Sequence, residues 1–216
     1  MTIQDIIDEA LVDDREPRTK THWYASDLGK CPASAYFARQ GIAPSNPPDA
    51  RARRIFSIGN TFEAWLFDKI KAKYPTAYQP ETQTIEEWNL RVRPDAVLPD
   101  EVHEYKTVHS NKFHWMLKKG EGADRHYLMQ LYCGMKAMGK NGRLVYMSKD
   151  DLVIAEFELK LDDPIKEEVE AEVKLLNDAW VAQKPPAPRC IGTWLEKYCG
   201  HAEHCKKLYD EIHAEN

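Results

Sequence analysis

The sequence lacks the long apolar runs and the basic leader that would direct a chain to a membrane. No stretch approaches the roughly 18 apolar residues of a membrane-spanning helix, and the mean hydropathy is −0.63. The first residues, Met1 to Asp5, contain no basic segment followed by an apolar one, which is the pattern of a secretory signal. These absences argue against a membrane partner and predict a cytoplasmic location.

An excess of positive charge is also missing. The chain has 30 basic and 35 acidic residues and a net charge of −5, which argues against a non-specific nucleic-acid coat because such proteins are usually basic. It does not exclude an enzyme acting on nucleic acid, since metal-holding acids lower the total while basic residues cluster locally. Each cluster, taken alone, is most simply a solvated surface. The clusters are Arg51, Arg53 and Arg54; Arg91 and Arg93; and Lys112, Lys118, Lys119 and Arg125.

Cysteine is scarce, with five in 216 residues. An odd number without a signal peptide argues against a disulfide framework. Cys133 lies in an apolar helical stretch and is expected to be a small core residue. The other four sit near the two ends of the chain, namely Cys31, Cys190, Cys199 and Cys205.

The periodicity of apolar residues predicts an alternation of helices and strands. The order of helix, strands, helix, strands and helix predicts a mixed sheet flanked by helices, of the α/β or α+β class. A length of 216 residues suggests one or two domains, and no internal repeat is present. Helices are expected over 32–40, 57–73 and 124–138 and from 162 to 183, a proline-rich connection over 41–50, two short strands within 82–98, and strands over 102–108, 143–148 and 152–159.

Two carboxylates could converge on the predicted strand over 102–108. Glu104 and Lys106 are two residues apart and leave the same face of a strand, and Asp95 begins the strand before it. If the two strands pair, Asp95, Glu104 and the backbone carbonyl of Tyr105 form a set of hard oxygen ligands that suits Mg²⁺ or Mn²⁺ rather than zinc. Lys106 would then orient a water molecule and stabilise charge on a phosphate. A hairpin with Glu and Lys on its solvent face is the commoner explanation of this triple alone.

Two helical positions could contribute to the same centre. Glu63 follows Gly59 by four residues and could supply a further metal ligand, with the glycine allowing the helix start to approach another backbone closely. Gln130, on the helix over 124–138, could reach a metal-bound water or a phosphate. Taken singly, each is more simply a polar side chain at a helix surface.

The order of these residues resembles the PD-(D/E)xK nuclease superfamily. It is most similar to the RecB-like branch, which includes CRISPR-associated exonucleases, the AddB nuclease domain and phage relatives. The resemblance implies a first motif at Gly59 and Glu63 and a metal aspartate at Asp95. The third motif is Glu104-Tyr105-Lys106, and Gln130 belongs to the fourth. That motif is usually Gln-x-x-x-Tyr, and this chain has Gly134 where the tyrosine is expected, with Tyr132 as a candidate replacement.

The cysteines extend the resemblance, because part of this branch binds an iron–sulfur cluster with one cysteine before the nuclease core and three after it. The segment from Ser26 to Cys31 resembles the leading cysteine segment, and Glu196 stands where a later cysteine is usual. With Cys190 as its replacement, the resemblance implies four thiolate ligands for a cluster, with [4Fe–4S] favoured. Zinc is the competing metal. The implied ligands are Cys31, Cys190, Cys199 and Cys205, and His201 or His204 could replace one of them.

The resemblance also implies an organisation for the chain. It implies a restriction-endonuclease-like core over 51–188, whereas residues 1–21 are expected from their polar, acidic composition to form a short helix and a loop. A small cysteine-bound subdomain, formed by 22–50 and 189–216, would join the two ends of the chain.

The implied activity is that of a Mg²⁺- or Mn²⁺-dependent DNA exonuclease that prefers single-stranded ends. It would serve recombination, repair, or CRISPR or phage DNA processing, with protein partners from recombination or CRISPR adaptation, in the cytoplasm of its own cell or of a phage host. Two alternatives stay open, a non-cleaving DNA-binding or assembly module on the same fold and a structural zinc protein. Exonuclease against endonuclease action, direction of digestion and oligomeric state are also open.

Overall fold

The computed structural model describes residues 1–12, 16–119 and 122–214, which form a mixed α/β structure. Helices and strands alternate along most of this length. The helices are α1 Ile3–Ala10, α2 Pro32–Arg39, α3 Ala50–Lys73, α4 Ser110–Lys119, α5 Arg125–Met138, α6 Ile165–Val181 and α7 Ala202–Ala214. The strands are β1 Trp23–Tyr24, β2 Gln83–Ile85, β3 Leu90–Val92, β4 Ala96–Val97, β5 Glu101–Val108, β6 Asn141–Ser148 and β7 Ile154–Leu159.

The main sheet has four strands in the order β4-β5-β6-β7. The central strands β5 and β6 run parallel, and both outer strands are antiparallel to their neighbours. A parallel pair needs a crossover connection, which the chain between β5 and β6 supplies with α4 and α5. The order β1-β3-β2 makes a second, three-stranded sheet.

Both faces of the main sheet are covered by helices. On one face, Val102 and Leu144 pack with buried residues of α5 and α6 in the larger core cluster. On the other face, Tyr105 and Val145 pack beneath Leu66 of α3. Because successive strand residues point to opposite faces, β5 presents Glu104 and Lys106 toward α5 and presents Tyr105 toward α3.

The two ends of the chain meet beside this core. The backbone N–H of Asn46 donates to the Gly200 carbonyl at 3.0 Å, and its side-chain amide donates to the Lys197 carbonyl at 2.9 Å. Cys31 and Cys205 lie in one small buried cluster with the neighbouring cysteines. The connection over 41–50 and the cysteines therefore hold the early and late segments together.

This architecture confirms the predicted mixed sheet flanked by helices. Helix α5 ends as expected at Gly139, whose φ of +65° closes the helix in the left-handed conformation, and Cys133 is a fully buried core residue. No helix in the described segments is both long and apolar enough to cross a membrane.

The structure differs from the predicted elements in several places. Helix α3 begins at Ala50 rather than at residue 57, because Asp49 accepts a 2.7 Å hydrogen bond from the Ala52 N–H and caps a charged first turn that has no apolar periodicity. Helices α4 and α7 were not expected, since α4 carries basic residues and α7 lies in the polar tail. Three short strands, rather than two, occupy residues 82–98.

Trp23 provides a test of the packing between the early segment and α6. Its indole N–H donates to Asn177 at 2.9 Å, its ring packs edge-on against Trp180, and none of the side chain is exposed. We expect Trp23→Ala to lower the free energy of unfolding in urea by about 3–5 kcal/mol, the usual cost of truncating a large buried aromatic. Trp194, which is 73% exposed, is the matched control, and Trp194→Ala should change stability by less than about 0.5 kcal/mol. Equal effects of the two substitutions would contradict the packing described.

Candidate functional site

The pairing of β4 with β5 brings Asp95 beside Glu104. Ala96 lies opposite His103 in this antiparallel ladder, so the residue before Ala96 lies level with the residue after His103. The Asp95 carboxylate is almost fully buried and accepts a 2.7 Å hydrogen bond from the backbone N–H of Tyr105. Because β4 has only two residues, its side of β5 has no strand partner beyond this point among the described residues.

The backbone of Tyr105 faces the same edge as Asp95. In a β-strand the N–H and C=O of one residue leave on the same side, and the Tyr105 N–H is bonded to Asp95. The Tyr105 carbonyl therefore also faces the end of β4. The Tyr105 side chain lies on the face of the sheet that α3 covers, where its hydroxyl is hydrogen-bonded to His103 at 3.1 Å.

Glu104 and Lys106 form a buried ion pair on the α5 side of β5. Burial raises the pKa of Glu104, and the nearby Asp95 carboxylate raises it further against the opposing effect of Lys106. Burial alone would lower the pKa of Lys106, but the charges of Glu104 and Asp95 outweigh it and the pKa is raised. The lysine therefore stays protonated, and the carboxylates compete for its single positive charge.

Glu63 approaches this centre from α3. Burial and the Asp95 charge raise the pKa of Glu63, while Arg93 and Lys106 lower it. The expected role of Gly59 is wrong in one respect. Gly59 lies inside α3 rather than at its start, and a Cβ there would meet only the Thr107 hydroxyl at 3.6 Å, an ordinary contact.

Uncompensated negative charge is the electrostatic signature of the site. Three carboxylates, those of Glu63, Asp95 and Glu104, lie near the half-buried Lys106 and the guanidinium of Arg93, and each nevertheless has a raised pKa. A divalent cation would neutralise the excess charge, and all the available donors are the hard oxygens that Mg²⁺ and Mn²⁺ prefer. The donor set therefore fits such an ion, although these oxygens are not drawn into as compact a group as the cysteine sulfurs.

Helix α5 closes the other side of the centre. Tyr127 lies beside Lys106, whose Nζ is 5.0 Å from the ring centroid, and Gln130 is one turn further along the helix, half-buried. At Gly134 a Cβ would lie 3.1 Å from the Pro94 side chain, so any larger residue there would require the Pro94 ring to shift slightly. Tyr132 does not replace the missing tyrosine, because its hydroxyl donates to the Leu161 carbonyl at 3.0 Å, away from the carboxylates.

An open cleft of about 310 Å³ adjoins the acidic group. Glu63, Gln79 and Arg93 line it, and the Gln79 amide donates to the Asp95 carbonyl at 3.2 Å. The sequence did not assign Gln79, Arg93 or Tyr127 to this centre. For Tyr127 the spacing of three residues before Gln130 was a usable signal, whereas Gln79 comes from a loop that no pattern connects to Asp95.

A second cluster lies apart from the carboxylates and contains four buried cysteines. The sulfurs of Cys31, Cys190, Cys199 and Cys205 all lie within 4.8 Å of one another. The Sγ atom of Cys205 is 3.8 Å from that of Cys31 and 3.7 Å from that of Cys199. Cys31 immediately precedes α2 and Cys205 lies in α7, so this cluster joins the two ends of the chain.

The charge state of the cysteine cluster favours the binding of a cation. Thiol hydrogen bonds from Cys199 and Cys205 hold the pKa of Cys31 well below its usual range, whereas hydrogen bonding to Cys199 and Cys31 raises the pKa of Cys205. Ionisation of one thiol therefore opposes ionisation of its neighbours, and a bound metal ion would stabilise all four as thiolates. The four sulfurs could hold a metal ion.

Of the two nearby histidines, His201 is hydrogen-bonded elsewhere through both ring nitrogens. His201 donates from Nε2 to the Ile42 carbonyl and accepts at Nδ1 from the Ser34 hydroxyl, both at 3.0 Å. His204 packs its ring against Phe37. With four sulfurs gathered, neither imidazole is needed to complete a four-ligand site.

Comparison with known proteins identifies relatives in structure alone. No protein-family model matches the chain, and no curated protein matches its sequence. The crystal structure of a protein designated SSO0001 is similar with a TM-score of 0.55 and 19% identity, over 98% of this chain and 96% of that one. An alkaline exonuclease (LHK-Exo) from Laribacter hongkongensis is similar with a TM-score of 0.51 and 16% identity, over 88% of this chain and 98% of that one. At such identities the likeness establishes a shared fold, which agrees with the predicted fold class.

The raised pKa of Glu104 predicts a pH-dependent stability. Without a metal, the protonated form is favoured in the folded state, so stability is lost as the pH rises from the ordinary value of 4.5 through about 8. Glu104→Gln has no proton to lose. In EDTA at pH 8 we expect it to raise Tm by about 3–8 °C, which corresponds to about 1–2 kcal/mol, and to change Tm little at pH 5. Added Mn²⁺ should stabilise the parent more than the variant.

Glu101→Gln is the matched control on the same strand. Burial would raise the pKa of Glu101, but hydrogen bonds from Arg143 and His103 lower it, so removing this charge should destabilise the protein at pH 8. A Glu104→Gln variant that melts below the parent in EDTA at pH 8 would contradict the charge balance described.

Proposed function

We propose that this protein is a metal-dependent nuclease that hydrolyses phosphodiester bonds in DNA. The observation that carries the proposal is the convergence of Asp95, Glu104 and the Tyr105 carbonyl at the end of β4, with the Lys106 ammonium beside them. A bound Mg²⁺ or Mn²⁺ would lower the pKa of an attacking water and neutralise charge on the phosphate.

Each residue of this centre has a distinct proposed role. Asp95, Glu104 and the Tyr105 carbonyl would hold the metal ion, and Glu63 would contribute from α3, directly or through water. Lys106 would hold the attacking water and balance charge on the phosphate. Gln130, half-buried one turn beyond Tyr127, would assist by hydrogen bonding to the water or the phosphate.

The preferred substrate is a DNA end, attacked as by an exonuclease, with single-stranded ends favoured. The shared fold with an alkaline exonuclease and the order of the nuclease motifs support this choice. A non-cleaving DNA-binding module on the same fold is the second candidate, favoured by Gly134, where the fourth motif lacks its tyrosine and the backbone packs against Pro94. The presence of all the charged groups of the centre favours cleavage.

Digestion of end-labelled DNA tests the nuclease. Single-stranded and duplex oligonucleotides, labelled separately at each end, would be incubated with the parent and Lys106→Ala in Mg²⁺ or Mn²⁺. We expect metal-dependent release of short products by the parent and a loss of about 10²–10³-fold or more in the variant, as for removal of one electrostatic catalytic group. Lys174→Ala removes an exposed lysine of α6 and should leave cleavage unchanged.

The labels also decide the remaining alternatives. If the label at one end is released first as a mononucleotide, the protein is an exonuclease and that end gives its direction. Labelled internal fragments would indicate an endonuclease. Binding of DNA without cleavage by the folded, metal-loaded parent would instead establish the non-cleaving module and overturn the nuclease.

We also propose that the cysteine cluster holds a single tetrahedral ion, with Zn²⁺ as the best candidate. Zinc–sulfur bonds of about 2.3 Å in a tetrahedron separate the sulfurs by about 3.8 Å, which agrees with the 3.7 and 3.8 Å found here. A [4Fe–4S] cluster binds each cysteine through a different iron, so its sulfurs must stand farther apart. The proposed role is structural, since the cysteines come from both ends of the chain.

Metal analysis of protein prepared without oxygen tests this assignment. We expect one zinc per chain, no inorganic sulfide and no visible absorbance, together with loss of zinc and a lower Tm in Cys199→Ala. Cys133→Ala, which removes a buried thiol outside the cluster, should keep the metal. About four irons and four sulfides per chain, with a brown colour, would overturn the single-ion assignment and establish the cluster implied by the resemblance.

A further inference from the structure

We propose that Lys30 binds a backbone phosphate of the DNA beside the catalytic centre. Its ammonium would act as a second cation next to Lys106, on the side where α5 meets the loop before α2. The inference rests on the proposed nuclease function and extends it to a residue outside the nuclease motifs.

The backbone next to Lys30 is pressed against α5. Gly29 has a φ of +71°, and a Cβ on it would lie only 2.8 Å from His126 Cα and 2.9 Å from Met129 Sδ. Only glycine allows this approach. The next residue of α5, Tyr127, has its ring beside the Lys106 ammonium. His126, which the Gly29 backbone approaches, and Tyr127, which lies beside Lys106, are therefore consecutive residues of α5.

The segment that carries Lys30 is anchored at both ends. Leu28 is fully buried in the main core, and Cys31 is buried in the cysteine cluster, 3.8 Å from the Cys205 sulfur. Between these two anchors Lys30 remains partly exposed to solvent. A cation on a fixed backbone with a free side chain loses little further backbone entropy when it binds a phosphate.

Lys30 is also available for a ligand. Within the described parts of the chain it forms no ion pair. Burial lowers the pKa of Lys30, and the charge of Asp27 opposes this effect; the Asp27 carboxylate accepts a 2.9 Å hydrogen bond from the Tyr24 N–H. Lys106 repels Lys30. Burial lowers the pKa of His126 to about 4, and the charge of Lys30 adds to this effect, so the imidazole is neutral at pH 7. Two mutually repelling cations beside a neutral ring favour an anion between them.

Binding measurements without cleavage test the role of Lys30. The affinity for a fluorescent single-stranded oligonucleotide would be measured by anisotropy in Ca²⁺ over a range of salt concentrations, for the parent, Lys30→Ala, Lys30→Arg and Lys207→Ala. We expect Lys30→Ala to raise Kd about fivefold to tenfold and to reduce the slope of log K against log salt by about 1. Lys30→Arg should restore most of the affinity, and in cleavage assays Lys30→Ala should change KM more than kcat.

Lys207→Ala is the matched control, because it removes an exposed lysine from α7, the helix that carries Cys205. It should behave as the parent, and all variants should keep the parent's Tm and cysteine-bound metal. If the parent cleaves DNA but Lys30→Ala matches Lys207→Ala in affinity and salt slope, the role of Lys30 is overturned and the nuclease stands. If the folded parent neither binds nor cleaves DNA, the proposed function itself is overturned.

Discussion

The two-residue pairing of β4 with β5 is the constraint on which the acidic centre depends. It sets Asp95 level with Glu104, and its early end leaves the Tyr105 N–H free to bond the Asp95 carboxylate. A longer β4 would cover this edge with backbone hydrogen bonds and remove the space for a cation. A shift of β4 by one residue would turn Asp95 to the face of the sheet opposite Glu104 and Lys106, because alternate residues of a strand face opposite sides of the sheet.

The same arrangement that would bind a cation also lowers the stability of the fold when the cation is absent. Burying carboxylates around a single lysine costs free energy unless a cation is present, and the raised pKa values of Glu63 and Glu104 express that cost. The rest of the fold offsets it with a core on each face of the sheet. One core packs α5 and α6 against one face, and the other packs α3 against the opposite face. A destabilised charged centre within a well-packed scaffold is the usual form of a functional site.

Much of this centre could be predicted because local sequence patterns determine it. Strand alternation places Glu104 and Lys106 on one face. The turn after Leu98 reverses the chain, so that β5 runs back beside Asp95. The beginning of α3 could not be predicted from apolar periodicity, because its first turns are charged and depend on the Asp49 cap. The place of Lys30 beside Lys106 arises from the packing of Gly29 on α5, a contact between distant segments that spacing does not encode.

The cysteine cluster also imposes an order in time. Cys31 and Cys205 are separated by 174 positions, and ribosomes add about 5–20 residues per second. The first cysteine therefore waits for about 9–35 s during synthesis before its last partner exists. Over that interval the loop that carries Lys30 lacks its cysteine anchor, and the burial of Leu28 itself waits for α5. A chain released before Cys205 could contain the acidic centre and yet lack the fixed cation beside it.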